Sequence, residues 1–195
     1  IDGDPEIEFE FMRTAGLAAF EALQVSWPDA KKIIICSGSG NNGGDGYIVA
    51  QLAYKNGYDV HVYTMCQLDQ LSGSAKRAAE NCLGAGVTVT DFHPDLGFAA
   101  DVIVDALLGT GLKDEVRGDY VNCIHAINAA EVPVLSIDTP SGLCVDTGSI
   151  LGCAVQAYLT ITFAALKQGL FTGKGPTNAG VIECNDLGIE PEIFD

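Results

Sequence analysis

The stretch Cys36-Ser-Gly-Ser-Gly-Asn-Asn-Gly-Gly-Asp-Gly-Tyr47 follows directly on the β-branched run Ile33-Ile34-Ile35. Five of these residues are glycine, and an apolar pattern typical of a helix opens at Tyr47. A strand, a glycine-rich turn and a helix N-terminus in this order aim backbone N–H groups at one point, as in many phosphate sites. The asparagines and Asp45 add polar side chains that a plain phosphate loop does not need. We therefore predict the front of a nucleotide site here.

Strand and helix patterns alternate along the rest of the chain. Helices are predicted at residues 5–25, 46–56, 72–83 and 120–130. Strands are predicted at residues 31–37, 58–65, 87–92, 101–107, 132–137, 158–163 and 180–184. The strand cores are continuously apolar, which is typical of strands covered by helices on both faces. The pattern predicts an α/β fold: a three-layer α/β/α sandwich with a mainly parallel, Rossmann-like central sheet, in a single domain over residues 1–195.

The composition restricts the class of partner. A net charge of −16 argues against nucleic acid and against an anionic membrane, because both require a basic surface, but it allows a phosphorylated small molecule. The cysteines number seven and form no CxxC pair, which indicates thiols of a reducing compartment. With no apolar stretch long enough for a bilayer and no signal peptide at the start, we expect a cytoplasmic protein. The ends at Ile1 and Asp195 suggest either a processed chain or one domain of a longer polypeptide.

Polar motifs follow several predicted strands at the point where each strand ends, and ligands of α/β sheets gather at that edge. Asp138 begins the motif Asp-Thr-Pro-Ser-Gly, in which Pro140 restricts the preceding residue to an extended conformation. We interpret Asp138 as a general acid/base, with an aspartate that only stabilises a turn as the alternative. Lys167 follows another strand, where a contact with ligand phosphates, a contact with the sheet edge and a solvated surface position all remain open.

Asp105 ends an apolar strand, where a carboxylate must be paired, hydrogen-bonded or bound to a cation. Asn42, Asp105 and Ser141 offer oxygen atoms and only one charge, a set that suits potassium or sodium better than zinc. The alternative is a helix cap or a turn aspartate whose hydrogen bonds are made within the protein.

Other classes of function fit the residues less well. Residues 38–43 match the dinucleotide pattern GxGxxG, which keeps an NAD(P)-dependent oxidoreductase as an alternative. Such an enzyme should carry an acidic residue at the end of its second strand, yet that strand ends Tyr63-Thr64-Met65-Cys66. Ser141 does not lie in a GxSxG motif, which disfavours a serine hydrolase, and no Walker motif is present. A non-catalytic nucleotide-binding module is the third possibility.

Four motifs in the same order resemble the NAD(P)H-hydrate epimerase family: Gly38 to Gly46, Val104 to Gly111, Ile137 to Gly142 and Thr162 to Gly169. The resemblance covers nearly the whole chain. It departs in the first helix, where Arg13-Thr14 stands in place of an acid followed by a basic residue.

The resemblance implies an isomerase that interconverts the R and S forms of hydrated NADH and NADPH, damaged cofactors with a hydroxyl at C6 of the reduced ring. It implies a homodimer with one K⁺ per subunit and a dehydratase partner, fused or separate, that repairs the S form. Carried over by position, Asp138 would act at the reacting ring and Asn42, Asp105 and Ser141 would bind potassium. The implied substrate contacts are Asn41, Asn42, Gly43, Gly44, Asp45, Gly109, Thr110, Gly111, Leu112, Lys113, Asp114, Glu115 and Asp138.

Overall fold

The computed structural model describes residues 3–189, so the outermost residues of the predicted domain, 1–2 and 190–195, lie outside the described part. Seven strands form one sheet in the order β3-β2-β1-β4-β5-β6-β7, and each neighbouring pair is parallel. The strands are β1 (Lys32–Ser37), β2 (Asp59–Thr64), β3 (Thr88–Asp91), β4 (Val102–Ala106), β5 (Val134–Ile137), β6 (Leu159–Phe163) and β7 (Val181–Asn185). The helices are α1 (Pro5–Ser26), α2 (Asn41–Lys55), α3 (Gly73–Gly84), α4 (Asp119–Ala129) and α5 (Gly175–Asn178).

Helices cover both faces of the sheet, as the apolar strands predict. Ile33 and Ile35 of β1 pack with the buried side chains of α1, α2 and α3. Ile34, between them, points the other way and packs with α4, because successive side chains of a strand face opposite sides. The fold is therefore a three-layer α/β/α sandwich with a parallel, Rossmann-like sheet, and the predicted fold class is confirmed.

The start of α1 follows from local chemistry. The carboxylate of Asp4 accepts a hydrogen bond of 2.9 Å from the backbone N–H of Glu6, and Pro5 occupies the first turn, where its missing N–H costs nothing. Phe9, Met12 and Leu23 lie on the buried side of the helix. The bounds agree with the predicted helix to within one residue.

One predicted boundary is wrong. Helix α2 begins at Asn41 rather than at Gly46, so the asparagines and glycines of the opening stretch form its first turns. Glycine is a poor helix former, and propensity alone therefore placed the start too late. The structure shows why glycine is needed: a Cβ at Gly43 would collide with the Gly38 backbone, and one at Gly46 would lie 2.6 Å from Cβ of Ala106.

Three short elements were also missed. Helix α5 and the 3-10 turns at Leu68–Gln70 and Gln168–Leu170 are too brief for periodicity to reveal.

No helix within residues 3–189 has both the length and the apolar character needed to cross a membrane.

The strand order brings the polar motifs together. Strands β1, β4, β5 and β6 are consecutive neighbours, and all run in the same direction. Their carboxyl ends therefore share one edge of the sheet, and the segments that follow them meet there.

Candidate functional site

A cleft of about 1060 Å³ opens at the carboxyl edge of the sheet, bounded by α1, the start of α2, the segment after β4 and the ends of β5 and β6. Its size suits a nucleotide-sized ligand. The lining residues are Glu8, Phe11, Met12, Ala15, Ser39, Gly40, Asn41, Asn42, Asp45, Ser74, Leu107, Leu108, Gly109, Thr110, Gly111, Leu112, Lys113, Asp114, Glu115, Asp138, Phe163, Ala164 and Lys167.

Asp138 is held in a strained backbone conformation at the end of β5. Its φ of 67° lies in the left-handed region that residues with a Cβ rarely adopt. The conformation is fixed from both sides: the N–H of Asp138 donates to the Ile161 carbonyl at 2.7 Å, and the N–H of Thr139 donates to the Ile137 carbonyl at 2.8 Å. Strain of this kind at the tip of a strand is typical of functional sites.

An ion pair fixes one oxygen of the Asp138 carboxylate. The Nζ atom of Lys167 lies 2.7 Å from Oδ1, and the two side chains are only 19% and 17% exposed. The same Nζ donates a hydrogen bond of 2.7 Å to the Phe163 carbonyl. The Thr162 hydroxyl lies at 3.4 Å from Oδ1 as a weaker donor.

The other oxygen, Oδ2, approaches Gly109 in the segment after β4, which in turn lies against Asn42 at the start of α2. A Cβ placed on Gly109 would lie 3.5 Å from Oδ2 of Asp138 and 3.3 Å from Cβ of Asn42. Two strand ends and the helix start therefore converge within a few ångströms, and the predicted meeting of Asp138 with the Asn42 segment is what the structure shows. A side chain at position 109 would fill the space between them.

Asp45 contributes a second carboxyl group to this wall of the cleft. Burial by the surrounding protein raises the pKa of Asp45 well above its usual value, and repulsion from the Asp138 carboxylate raises it further. The cleft thus combines one carboxyl group that binds its proton more tightly than usual with another that is paired to a lysine.

Asp105 lies beneath the cleft and is fully buried. Its Oδ1 accepts hydrogen bonds from the Ser141 hydroxyl at 2.6 Å and from the Leu107 N–H at 3.3 Å. Its Oδ2 accepts from the Ser136 hydroxyl at 2.8 Å and from the Ser141 N–H at 2.9 Å. Burial raises the pKa of Asp105, and these hydrogen bonds oppose that rise.

Asn42 is the buried polar side chain that stands out at the site. Both its Oδ1 and its Nδ2 are enclosed, and neither has a hydrogen-bond partner within the described part of the chain. Buried amides are normally paired, so this oxygen is available to a bound ligand or cation. Of the three predicted cation ligands, Asp105 and Ser141 are in direct contact, and Asn42 has an unused oxygen.

Most of the predicted substrate contacts line the cleft, and Gly43 and Gly44 do not. Gly43 packs on the Gly38 backbone, and a Cβ at Gly44 would lie 2.5 Å from the Met12 side chain. The remaining members of the predicted set are Asn41, Asn42, Asp45, Gly109, Thr110, Gly111, Leu112, Lys113, Asp114, Glu115 and Asp138, and all of them are on the wall.

Several contributions to the site were not predicted. Glu8, Phe11 and Ala15 of α1 line the cleft, and their helical spacing was the signal that could have revealed them. The hydroxyl of Tyr120 accepts a hydrogen bond of 3.3 Å from the Ser39 N–H, which links α4 to the loop before α2. No local pattern around Tyr120 points to that contact.

Comparisons with known proteins point to one family. The family model described as "YjeF-related protein N-terminus" matches residues 8–169. A bifunctional NAD(P)H-hydrate repair enzyme from Coxiella burnetii is 48% identical over 96% of this chain, and an NAD(P)H-hydrate epimerase from Limosilactobacillus fermentum is 39% identical over 91%. The chain spans 38% of the length of the first and 85% of the second. A crystal structure of the yeast protein ynu0 superposes with a TM-score of 0.76, covering 98% of this chain and 87% of the yeast one at 20% identity, a likeness that concerns the fold.

The fold and the cleft define an α/β protein with a candidate small-molecule site at the carboxyl edge of a parallel sheet. Within that class, the chain belongs to the YjeF-related N-terminal family, the family of the NAD(P)H-hydrate epimerases, as its motifs predicted.

Proposed function

We propose that this chain is an isomerase of cofactor repair that interconverts the R and S forms of hydrated NADH and NADPH. Relatives named for this activity are 35–48% identical to it, and two of them consist largely of the matched domain. The observation that carries the proposal is the convergence of Asp138, Asn42 and Gly109 in one nucleotide-sized cleft.

The residues present suit this chemistry. The ring nitrogen of the hydrate can expel the C6 hydroxyl as water when an acid protonates it, and water can then add to either face of the ring. The proposed acid/base is Asp138, which gives its proton to the departing hydroxyl and takes one back from the incoming water. The free backbone N–H groups at the start of α2 would hold the anionic part of the substrate.

We also propose that Asn42, Asp105 and Ser141 bind a potassium ion, one per subunit. The amide oxygen of Asn42, which has no hydrogen-bond partner within residues 3–189, supports a cation here, and a set of two uncharged oxygens with a single carboxylate suits a monovalent ion. The ion would supply a positive charge that attracts the anionic substrate in a strongly acidic protein.

Two further proposals rest on the family resemblance, and a third rests on the cysteines. We propose a homodimer, which sedimentation equilibrium can test. A dehydratase would consume the S form, as the names of the bifunctional relatives suggest. We assign the chain to the cytoplasm, a proposal supported by its seven free cysteine thiols.

The decisive experiment starts from chromatographically purified R hydrate. The chain is added with potassium chloride, and the appearance of the S isomer is followed over time against a sample without protein. Rapid approach to the R/S equilibrium is expected. A rate equal to that of the protein-free sample would refute the proposal.

The same samples test the two alternatives. An oxidoreductase would change the absorbance at 340 nm when NAD(P)H and a candidate substrate are supplied, whereas an epimerase would not. The structure disfavours the oxidoreductase because Thr64, at the end of β2, lies where a ribose-binding acid belongs and pairs with the Tyr47 hydroxyl at 2.9 Å. A non-catalytic module would bind the nucleotide without any isomerisation.

A further inference from the structure

The Lys167 side chain is anchored at two points, and this restricts what it can do. Its Nζ atom lies 2.7 Å from both Oδ1 of Asp138 and the carbonyl oxygen of Phe163. A lysine that served mainly to bind substrate phosphate would be expected to extend into the cleft with its ammonium group free. Here the ammonium group is already engaged by protein atoms, and the side chain is largely buried.

Two adjacent strands end in the same unusual turn, and together these turns create the ion pair. At the end of β6, Ala164 has a φ of 63°, and the N–H of Ala165 donates to the Phe163 carbonyl at 2.7 Å. At the end of β5, Asp138 occupies the equivalent left-handed position with the equivalent hydrogen bond one residue on. A left-handed conformation strains a residue that carries a Cβ, so both turns must be held by their surroundings.

The ion pair makes the two carboxylate oxygens of Asp138 different. Oδ1 is occupied by Lys167 and is also approached by the Thr162 hydroxyl. Oδ2 lies on the side of Gly109 and Asn42, at the glycine-rich wall of the cleft. A carboxyl group anchored through one oxygen presents the other in a fixed direction.

We propose that Lys167 is a positioning residue for Asp138, and that Oδ2 is the oxygen that exchanges the proton with the substrate. The ammonium group, fixed on the Phe163 carbonyl, sets the orientation of the carboxyl group toward the reacting ring. This inference rests on the proposed function, since it assigns Asp138 the role of acid/base.

Steady-state kinetics of Lys167→Met on purified R hydrate tests the proposal. The variant keeps an apolar stem of similar length and loses the anchor. We expect kcat to fall by about 10²-fold, the scale of a misplaced catalytic group, with KM changed by less than about threefold. Lys167→Arg keeps the positive charge and several N–H donors, so its kcat should be about tenfold higher than that of Lys167→Met. An unchanged kcat in Lys167→Met would overturn the proposal. A rise in KM with unchanged kcat would also identify Lys167 as a residue that binds substrate.

Comparison with other lysines gives the controls. Lys174→Met removes an exposed lysine outside the cleft lining and should leave both constants unchanged. Lys113→Met removes an exposed lysine that does line the cleft, and a rise in KM is expected there. Circular dichroism and the thermal midpoint establish that each variant is folded.

A double variant separates positioning from an independent role. If Lys167 acts through Asp138, Asp138→Asn with Lys167→Met should be no more than about twofold slower than Asp138→Asn alone. Two effects that multiply would show that Lys167 acts on the substrate by itself and would overturn the proposal. If the wild-type chain fails to epimerise the hydrate, the proposed function is refuted. If wild type is active and Lys167→Met is equally active, only the positioning role of Lys167 is refuted.

Discussion

At the scale of the residue, the position of Asp138 combines a chemical and a conformational requirement. The proposed chemistry needs a carboxyl group, and the backbone needs a residue that tolerates a φ of 67°. Apart from glycine, asparagine and aspartate are the residues that most often adopt this backbone conformation. Replacement of Asp138 by asparagine therefore removes the acid/base without adding backbone strain, whereas alanine would change both.

Asp138→Asn should leave the fold intact and lower the rate of epimerisation by about 10²–10⁴-fold, the usual contribution of a general acid/base. Chromatography of the two hydrates measures the rate, and the thermal midpoint checks the fold. Asp146→Asn, at an exposed aspartate outside the cleft, serves as the matched control and should retain full activity. Near-normal turnover by Asp138→Asn would remove Asp138 from the mechanism.

Asp45 predicts a pH dependence of stability at the same scale. Burial and the Asp138 carboxylate raise the pKa of Asp45 in the folded chain, so the folded chain binds more protons than the unfolded chain above the ordinary carboxyl pKa. The contribution of Asp45 to the free energy of unfolding therefore falls as pH rises from the ordinary pKa through the raised one. Asp45→Asn removes that loss. The thermal midpoint of Asp45→Asn minus that of wild type should be larger at pH 7 than at pH 4. An equal difference at the two pH values would contradict this account.

At the scale of the element, helix α2 shows where sequence reasoning fails and why. The three glycines and two asparagines at its start predicted a turn, since local propensity disfavours a helix. The helix starts at Asn41 nevertheless, because its first turns pack so closely on Gly38, on β1 and on the last residue of β4 that no Cβ fits at Gly43 or Gly46. Contacts of this kind join segments about 60 residues apart in the chain, and a local pattern cannot reveal them. The strands themselves were predictable, because burial on both faces leaves continuous apolar runs.

Gly46→Ala tests that explanation. The added Cβ would lie 2.6 Å from Cβ of Ala106 and 2.9 Å from Oγ of Ser37, so overpacking should outweigh the gain in helix propensity and destabilise the chain by about 1–3 kcal/mol. Gly84→Ala is the matched control, because it lies at the last residue of α3 with open space around its Cβ position. That substitution should be neutral or stabilising by less than about 1 kcal/mol. Urea unfolding of both variants provides the comparison, and equal effects at the two positions would contradict the packing argument.

At the scale of the whole molecule, the candidate site is a property of the strand order. The sequence predicted which motifs follow strands, and the parallel sheet implied that they share an edge. The actual neighbours, β1, β4, β5 and β6, and the contribution of α1 to the cleft depend on how distant segments pack. The ion pair between Asp138 and Lys167 also depends on such packing. It joins the ends of two adjacent strands through turns whose geometry no local pattern predicts.

The proposed cation site links local binding to the stability of the whole chain. A ligand that binds only the folded state raises the free energy of unfolding, by about 2.7 kcal/mol at a concentration one hundred times its dissociation constant. Any salt also screens the self-repulsion of a chain with a net charge of −16, so potassium chloride must be compared with choline chloride at equal ionic strength. We expect a higher thermal midpoint in potassium.

Asn42→Leu identifies the source of that difference. The substitution removes a buried amide whose two polar atoms lack partners within the described residues, so in choline chloride the variant should be at least as stable as wild type. In potassium chloride the thermal midpoint of the variant should be no higher than in choline chloride at equal ionic strength, because a proposed potassium ligand has been removed. If the variant kept the full potassium response, the ion would bind elsewhere, and the assignment of Asn42, Asp105 and Ser141 would fail even if the chain epimerised the hydrate.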